Sequence, residues 1–214
     1  MINSPNDYDV VIKLIPTKND NFFVCMRLCS IQDNRFAYRK NVLPTSMHPS
    51  QAALIVSLAK PYLKETAQIM DPFCGVGTLL IERAHLVPAR EIYATDTYGD
   101  AITMGRENAA LAKTRINFIH RDFFDFRHDY KFDELITDMP VRNRQTKAEM
   151  ELFYERFFDK AAEHLVSGGI IVMYSNEIGF VKKQIRLRVE YRLLQETCIL
   201  DKKDFYLFVI RYED

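Results

Sequence analysis

The feature that most constrains this chain is a regular alternation of strand-like and helical patterns from residue 67 to its carboxyl end. Short apolar runs at 67–71, 91–95, 115–119, 133–137 and 169–174 read as strands. Helical periodicity falls between most of them, at 78–87, 99–112, 147–165 and 177–187. Strands separated by helices predict a parallel sheet with helices on both faces. The last two runs, 190–199 and 205–212, are joined only by Asp201-Lys202-Lys203-Asp204, which predicts an antiparallel hairpin closing that sheet. The fold class is therefore α/β, a mostly parallel sheet with helices on both faces.

Upstream the pattern changes. Runs at 9–15 and 22–28 flank a Lys18-Asn19-Asp20-Asn21 turn and predict a short amino-terminal β-hairpin, followed by a polar stretch over 32–48. We therefore divide the chain into an extension, 1–48, and a main domain, 49–214. Ser50 is placed to cap a helix whose apolar residues run from Ala53 to Ala59 and which must stop or kink at Pro61.

Cys25 and Cys29 have the spacing of one edge of a zinc site, but no second pair lies at suitable spacing. Positions four apart share a strand face, so core packing is the expectation, with no metal. No apolar run approaches membrane-spanning length and no charged-then-apolar leader opens the sequence, so the chain reads as cytoplasmic and free of the membrane.

In an open parallel sheet, ligands bind beyond the carboxyl ends of the strands, so the loops that follow strands are where chemistry is expected. The first is Asp71-Pro72-Phe73-Cys74-Gly75-Val76-Gly77-Thr78. Gly75 and Gly77 let the backbone turn sharply and approach a ligand at the start of the next helix. The loop lacks the Gly-Lys-Ser/Thr ending of a phosphate cradle, and Leu80 replaces the third glycine of the dinucleotide fingerprint, so ATP and NAD both lose ground. The second loop offers Asp96, followed by Thr97, where a carboxylate can accept both hydroxyls of a ribose. The third offers Asp122 with Phe123 and Phe124, an acceptor for an adenine amine beside a ring to cover the base.

The fourth loop, Asp138-Met139-Pro140-Val141-Arg142-Asn143-Arg144, carries the reaction in this reading. An exocyclic base amine is a poor nucleophile because its lone pair is delocalised into the ring. Held by the Asp138 carboxylate and the Met139 carbonyl in a turn fixed by Pro140, it can be aimed at a methyl donor. Positive charge is scarce overall, since 29 Lys and Arg balance 29 Asp and Glu. Nucleic-acid contact must therefore be local. Two basic patches offer it: Arg142, Arg144 and Lys147, and the helical set Lys182, Lys183, Arg186 and Arg188, for which a solvated helix face is an equal alternative.

The string from Asp71 to Glu82, with Thr45-Ser46-Met47-His48-Pro49 before it and Asp96, Asp122 and Asp138-Met139-Pro140 after it, resembles the THUMP-associated RNA methyltransferases that form guanine N2-methyl marks. The resemblance implies a class I methyltransferase fold of seven strands and S-adenosylmethionine as cofactor. It implies a cofactor site built from Thr45, Ser46, Met47, Asp71, Pro72, Phe73, Cys74, Gly75, Gly77, Thr78, Asp96, Thr97, Asp122, Phe123 and Asp138. The implied substrate is a guanine in tRNA or rRNA, contacted by Val141, Arg142 and Arg144. Val141 departs from the aromatic residue expected after the proline, so stacking on the base, about 1–3 kcal/mol, must come from Arg142, Phe123 or Phe124. Adenine-amine methylation in DNA or RNA, or an inactive cofactor-binding module, are the alternatives. The first 40 or so residues are too few for a whole THUMP domain, which implies either a piece of a longer protein or a partner that supplies the RNA grip.

Overall fold

A computed structural model of the chain describes residues 10–19, 21–27, 34–200 and 204–214. The chain divides into two compact units, Met1–Phe36 and Ala37–Asp214. In the first, β1 (Val11–Pro16) and β2 (Phe22–Arg27) form an antiparallel hairpin in the register Val11↔Arg27 to Pro16↔Phe22. The hairpin is the one expected, but its side chains are not core: β2 is exposed along its whole length, Cys25 included. Expected core packing at Cys25 is thus corrected, and Cys29 lies outside the described residues.

The second unit holds a seven-stranded sheet in the order β5-β4-β3-β6-β7-β9-β8. Its strands are β3 (Gln68–Asp71), β4 (Glu91–Asp96), β5 (Asn117–His120), β6 (Phe132–Asp138), β7 (Leu165–Ser175), β8 (Tyr191–Leu200) and β9 (Phe205–Tyr212). The first five are parallel, and β9 runs antiparallel between β7 and β8. The helices are α1 (Pro49–Ala59), α2 (Thr78–Leu86), α3 (Gly99–Leu111), α4 (Lys147–His164) and α5 (Ile178–Leu187). From β3 the chain steps outward to β4 and β5, then returns to place β6 on the other side of β3. Right-handed crossovers in opposite directions put α2 and α3 on one face and α4 on the other, and they make the β3/β6 boundary the switch point.

Local rules explain the boundaries. Pro49 occupies the first turn of α1, and the His48 ring, rather than Ser50, caps it by accepting the Ser50 N–H at 3.3 Å. Pro61 ends α1 as expected, through a 3-10 turn over Lys60–Tyr62. Thr146 and Glu149 close a capping box at the start of α4, which contributes about 1 kcal/mol. The stripe of Met150, Tyr154, Phe157, Phe158 and Ala161 on that helix is buried against the sheet as core. Leu165, expected at the end of α4, instead begins β7.

The segment 37–48, grouped by sequence with the hairpin, is stitched to the second unit. Asn108 of α3 accepts the Lys40 and Asn41 N–H groups at 3.2 and 3.0 Å, and the Tyr38 hydroxyl donates to Glu82 of α2. A buried ion pair absent from the sequence reading locks α2 to β6. Arg83 donates from Nε and Nη2 to Glu134 at 2.8 and 2.9 Å, and also from Nη1 to the Val87 carbonyl and from Nη2 to the Lys64 carbonyl.

Candidate active site

A cleft of about 410 Å³ opens over the carboxyl ends of β3, β4 and β6, at the switch point. Its walls come from three loops and one strap. The loop after β3 supplies Asp71, Phe73, Cys74, Gly75, Val76 and Thr78, β4 supplies Asp96, and the loop after β6 supplies Asp138, Met139, Pro140, Val141 and Asn143. The strap is the segment before α1, with Leu43, Thr45, Ser46 and Met47. It is folded on itself by two bonds, Ser46 N–H to the Leu43 carbonyl and Leu43 N–H to Ser46 Oγ, each 2.9 Å.

The glycine loop is held from below and from the side. Gly75 sits at φ +50° with open space where a Cβ would be, whereas Gly77, at φ +78°, would put a Cβ 2.8 Å from the ring of Phe118. Gly75 therefore faces the cleft, and Gly77 is required by packing on Phe118 rather than by close approach to a ligand. Asp96 joins β4 to this loop: one carboxylate oxygen accepts the Gly75 N–H at 2.8 Å and the other the Tyr98 N–H at 2.9 Å. Asp96 is thus not the cap of α3, which begins after Tyr98.

Three carboxylates converge here, and their environments differ. Asp71 is fully buried, which pushes its carboxyl well above the ordinary range. The Phe73 N–H opposes the shift, and the charges of Asp138 and Asp96 add to it. Asp138 lies at the cleft wall, and burial raises it from 3.8 to about 7. Its carboxylate accepts no hydrogen bond from any described residue. Burial, with Asp71 and Asp96 nearby, also raises the Cys74 thiol and keeps it protonated, which removes it as a nucleophile.

Several predicted residues lie elsewhere. Phe123 is 1% exposed and packs in the core against Phe73, Phe157 and His164. The cause is the Asp122 carboxylate, which accepts the Phe124 N–H at 2.9 Å and starts a 3-10 turn that directs Phe123 inward. Phe124 is half-buried with the Arg156 guanidinium over its ring at 4.1 Å. Neither ring is free to stack on a base. Pro72, Gly77, Thr97, Asp122, Arg142 and Arg144 do not line the cleft, and Arg142 approaches Glu177 at 4.0 Å. Tyr98, half exposed on the cleft wall, was missed, although an aromatic two residues after Asp96 was a readable signal. The helical basic patch is spent internally: Lys182 pairs with Glu196, Lys183 with Glu151 and Arg188 with Asp159.

The cleft fits an adenosyl cofactor. Its volume lies in the range of small-molecule sites, and the Thr78 hydroxyl in its wall is buried without a partner, which is costly unless a ligand supplies one. Sheet order, switch-point cleft and acidic strand ends together are those of the class I, S-adenosylmethionine-dependent methyltransferase fold.

The chain belongs to the family of RMKL-like methyltransferase domains, whose model matches residues 37–197. A tRNA (guanine(10)-N2)-dimethyltransferase of Methanothermobacter thermautotrophicus is 32% identical over 187 residues, 82% of this chain and 54% of that protein. A release factor glutamine methyltransferase of Lactococcus lactis is 25% identical over 155 residues, 64% of this chain and 56% of that protein. The chain thus spans about half the length of these curated relatives. The crystal structure of TrmN from Thermus thermophilus superposes with a TM-score of 0.71 at 21% identity, covering 91% of this chain and 57% of that one, a likeness of fold.

Proposed function

We propose that this chain transfers a methyl group from S-adenosylmethionine to an exocyclic amine of a base in RNA, with guanine N2 of tRNA as the favoured target. The observation that carries this reading is Asp138, a carboxylate on the cleft wall with no partner among the described residues. An unpartnered acceptor beside the cofactor cleft is what a planar amine needs, because its N–H bonds must be held before the lone pair can be directed. The tRNA guanine dimethyltransferase relative favours guanine among such amines.

In this reading Asp96 accepts the ribose hydroxyls, and the Thr78 hydroxyl and the first amides of α2 receive the cofactor's carboxylate. The bound cofactor supplies an electrophilic methyl on a sulfonium. Asp138 and the Met139 carbonyl orient the amine, and Pro140 fixes the turn that presents them. Val141 and Asn143 then form the outer wall where the base enters, without an aromatic seat on that loop.

The release factor relative modifies a glutamine, whose side-chain amide is likewise planar and weakly nucleophilic, so the same acceptor pair serves a protein amide. Incubation of the purified protein with methyl-labelled cofactor and either tRNA, DNA or a glutamine-bearing protein separates these readings, with nucleoside mass spectrometry to identify the product. Label in N2-methylguanosine, lost in Asp138→Ala with calorimetric cofactor binding intact, supports the proposal. Full activity in Asp138→Ala would overturn the assigned role, and label confined to protein or DNA would overturn the substrate.

A further inference from the structure

A second groove, about 450 Å³, lies at the opposite end of the sheet from the cofactor cleft, where the carboxyl ends of α2 and α3 meet the amino ends of β4 and β5. Arg90, Lys113 and Arg115 stand around it, all exposed, and the one carboxylate in its lining, Glu91, already accepts the Tyr93 hydroxyl at 2.8 Å. The three cations make no ion pair among the described residues; Arg90 donates to the neutral Gln68 side chain at 2.8 Å. This distinguishes the groove from the α5 surface, where three of the four cations are matched by acids. Two helix carboxyl ends bring about half a negative charge each, so the three cations and Glu91 leave a net of about one positive charge.

Lys113 adds an independent observation. It follows the cap of α3 in a Schellman turn, with the Thr114 N–H on the Ala109 carbonyl at 2.9 Å and its own N–H on the Ala110 carbonyl at 3.1 Å. Its φ is +56°, the left-handed region where glycine is the preferred residue. A lysine here tolerates backbone strain that glycine would not have, and it places an ammonium on the groove.

We propose that this groove binds phosphate, and that its occupant is the RNA backbone, gripped at a distance from the modified base. The occupant rests on the RNA reading above. The cofactor cleft has no Lys or Arg in its lining, so it offers a phosphate nothing to hold it, and the polyanion must be gripped elsewhere. The six residues of β4 span about 20 Å, which separates the acidic from the basic end.

The test is a fluorescence anisotropy titration of the protein with labelled tRNA across a salt series, for the wild type and for Lys113→Gly combined with Arg115→Gln. Gly at 113 suits the turn, so the melting temperature serves as a fold control, and Lys182→Ala is a control on the α5 surface. The slope of log affinity against log salt should fall by about 1.5 in the double variant and stay unchanged in Lys182→Ala. Unchanged slope in a folded, RNA-binding double variant overturns the groove as an RNA contact. If the wild type binds no RNA, the RNA reading fails separately, and calorimetry with inorganic tripolyphosphate decides the site. Uptake lost in the double variant then supports a phosphate site for a free anion, and no uptake by the wild type overturns it.

Discussion

Replacing Asp138 by Asn should stabilise the ligand-free protein, and more so at high pH. Burial lifts the Asp138 carboxyl from 3.8 to about 7, so the folded chain prefers it protonated. The sign follows from linkage: a raised folded value means stability fully present below about 3.8 and lost as pH rises to about 7, then constant. At about 1.36 kcal/mol per unit, a gap of roughly 3 units gives a ceiling of about 4 kcal/mol. The side chain fronts an open cleft, so solvent screening reduces this to about 1–2 kcal/mol. Between about pH 5 and pH 8, about two of the three units are traversed, which leaves about 1 kcal/mol. For a chain of this size, 1 kcal/mol moves Tm by about 2–4 °C. Scanning calorimetry of wild type and Asp138→Asn at both pH values checks this: the variant's advantage should be larger by about 2–4 °C at pH 8. Titrations common to both proteins cancel in the comparison. An advantage independent of pH, or none, would refute the buried-carboxylate argument.

The same carboxylate predicts an acid limb near pH 7 in kcat/KM for the cofactor, which reports the ligand-free protein, because a protonated Asp138 loses an acceptor, and Asp138→Asn should flatten that limb in a pH profile of initial rates at subsaturating cofactor. Cofactor uptake should release protons near neutral pH, since a sulfonium beside Asp138 favours the ionised form; calorimetry in buffers of different ionisation enthalpy would read this, and the uncharged demethylated product should release fewer. Gly77→Ala should destabilise by about 2 kcal/mol or more in urea denaturation, from left-handed strain plus a Cβ forced to 2.8 Å from Phe118. Arg83→Met should cost about 3–5 kcal/mol by leaving Glu134 buried and unpaired, and Glu134→Leu added to it should recover most of that.

Strand and helix order from β3 onward was legible because apolar period and turn residues agree at nearly every boundary. The cleft was legible for a related reason: parallel strands deliver their following loops to one edge, so Asp71, Asp96 and Asp138 had to be neighbours once the sheet was inferred. What the sequence could not disclose was which way a side chain points inside an irregular loop. Phe123 and Phe124 are equivalent as residue types, and only the Asp122 hydrogen bond to the Phe124 N–H decides that Phe123 turns into the core. Arg83 was hidden for the same reason, since its partner Glu134 lies 51 residues away and nothing local marks a buried pair. The polar stretch 32–48 was grouped with the hairpin because the bonds that anchor its part from Tyr38 onward to α2 and α3 come from tertiary partners rather than from any period of its own.

Balanced composition concealed a polarised molecule. With equal numbers of acids and bases, the sequence argued against any general field for polyanions, yet the acids of the cofactor cleft and the unpaired bases of the second groove sit at opposite ends of the same strands. On the proposed RNA reading, the separation has a physical consequence for an enzyme that handles a cationic cofactor and a polyanionic substrate. Asp138, once ionised, favours the sulfonium and orients an amine, and the cleft lining holds no Lys or Arg to receive a phosphate. A base must therefore be presented away from its backbone, with the backbone held where the charge has the other sign. If that division holds, raising salt should weaken RNA binding steeply while leaving the preference for cofactor over its neutral product nearly intact, because the buried carboxylates are far less screened than the exposed cations. Parallel loss of both would mean that one surface serves both ligands, and the two-ended arrangement would be wrong.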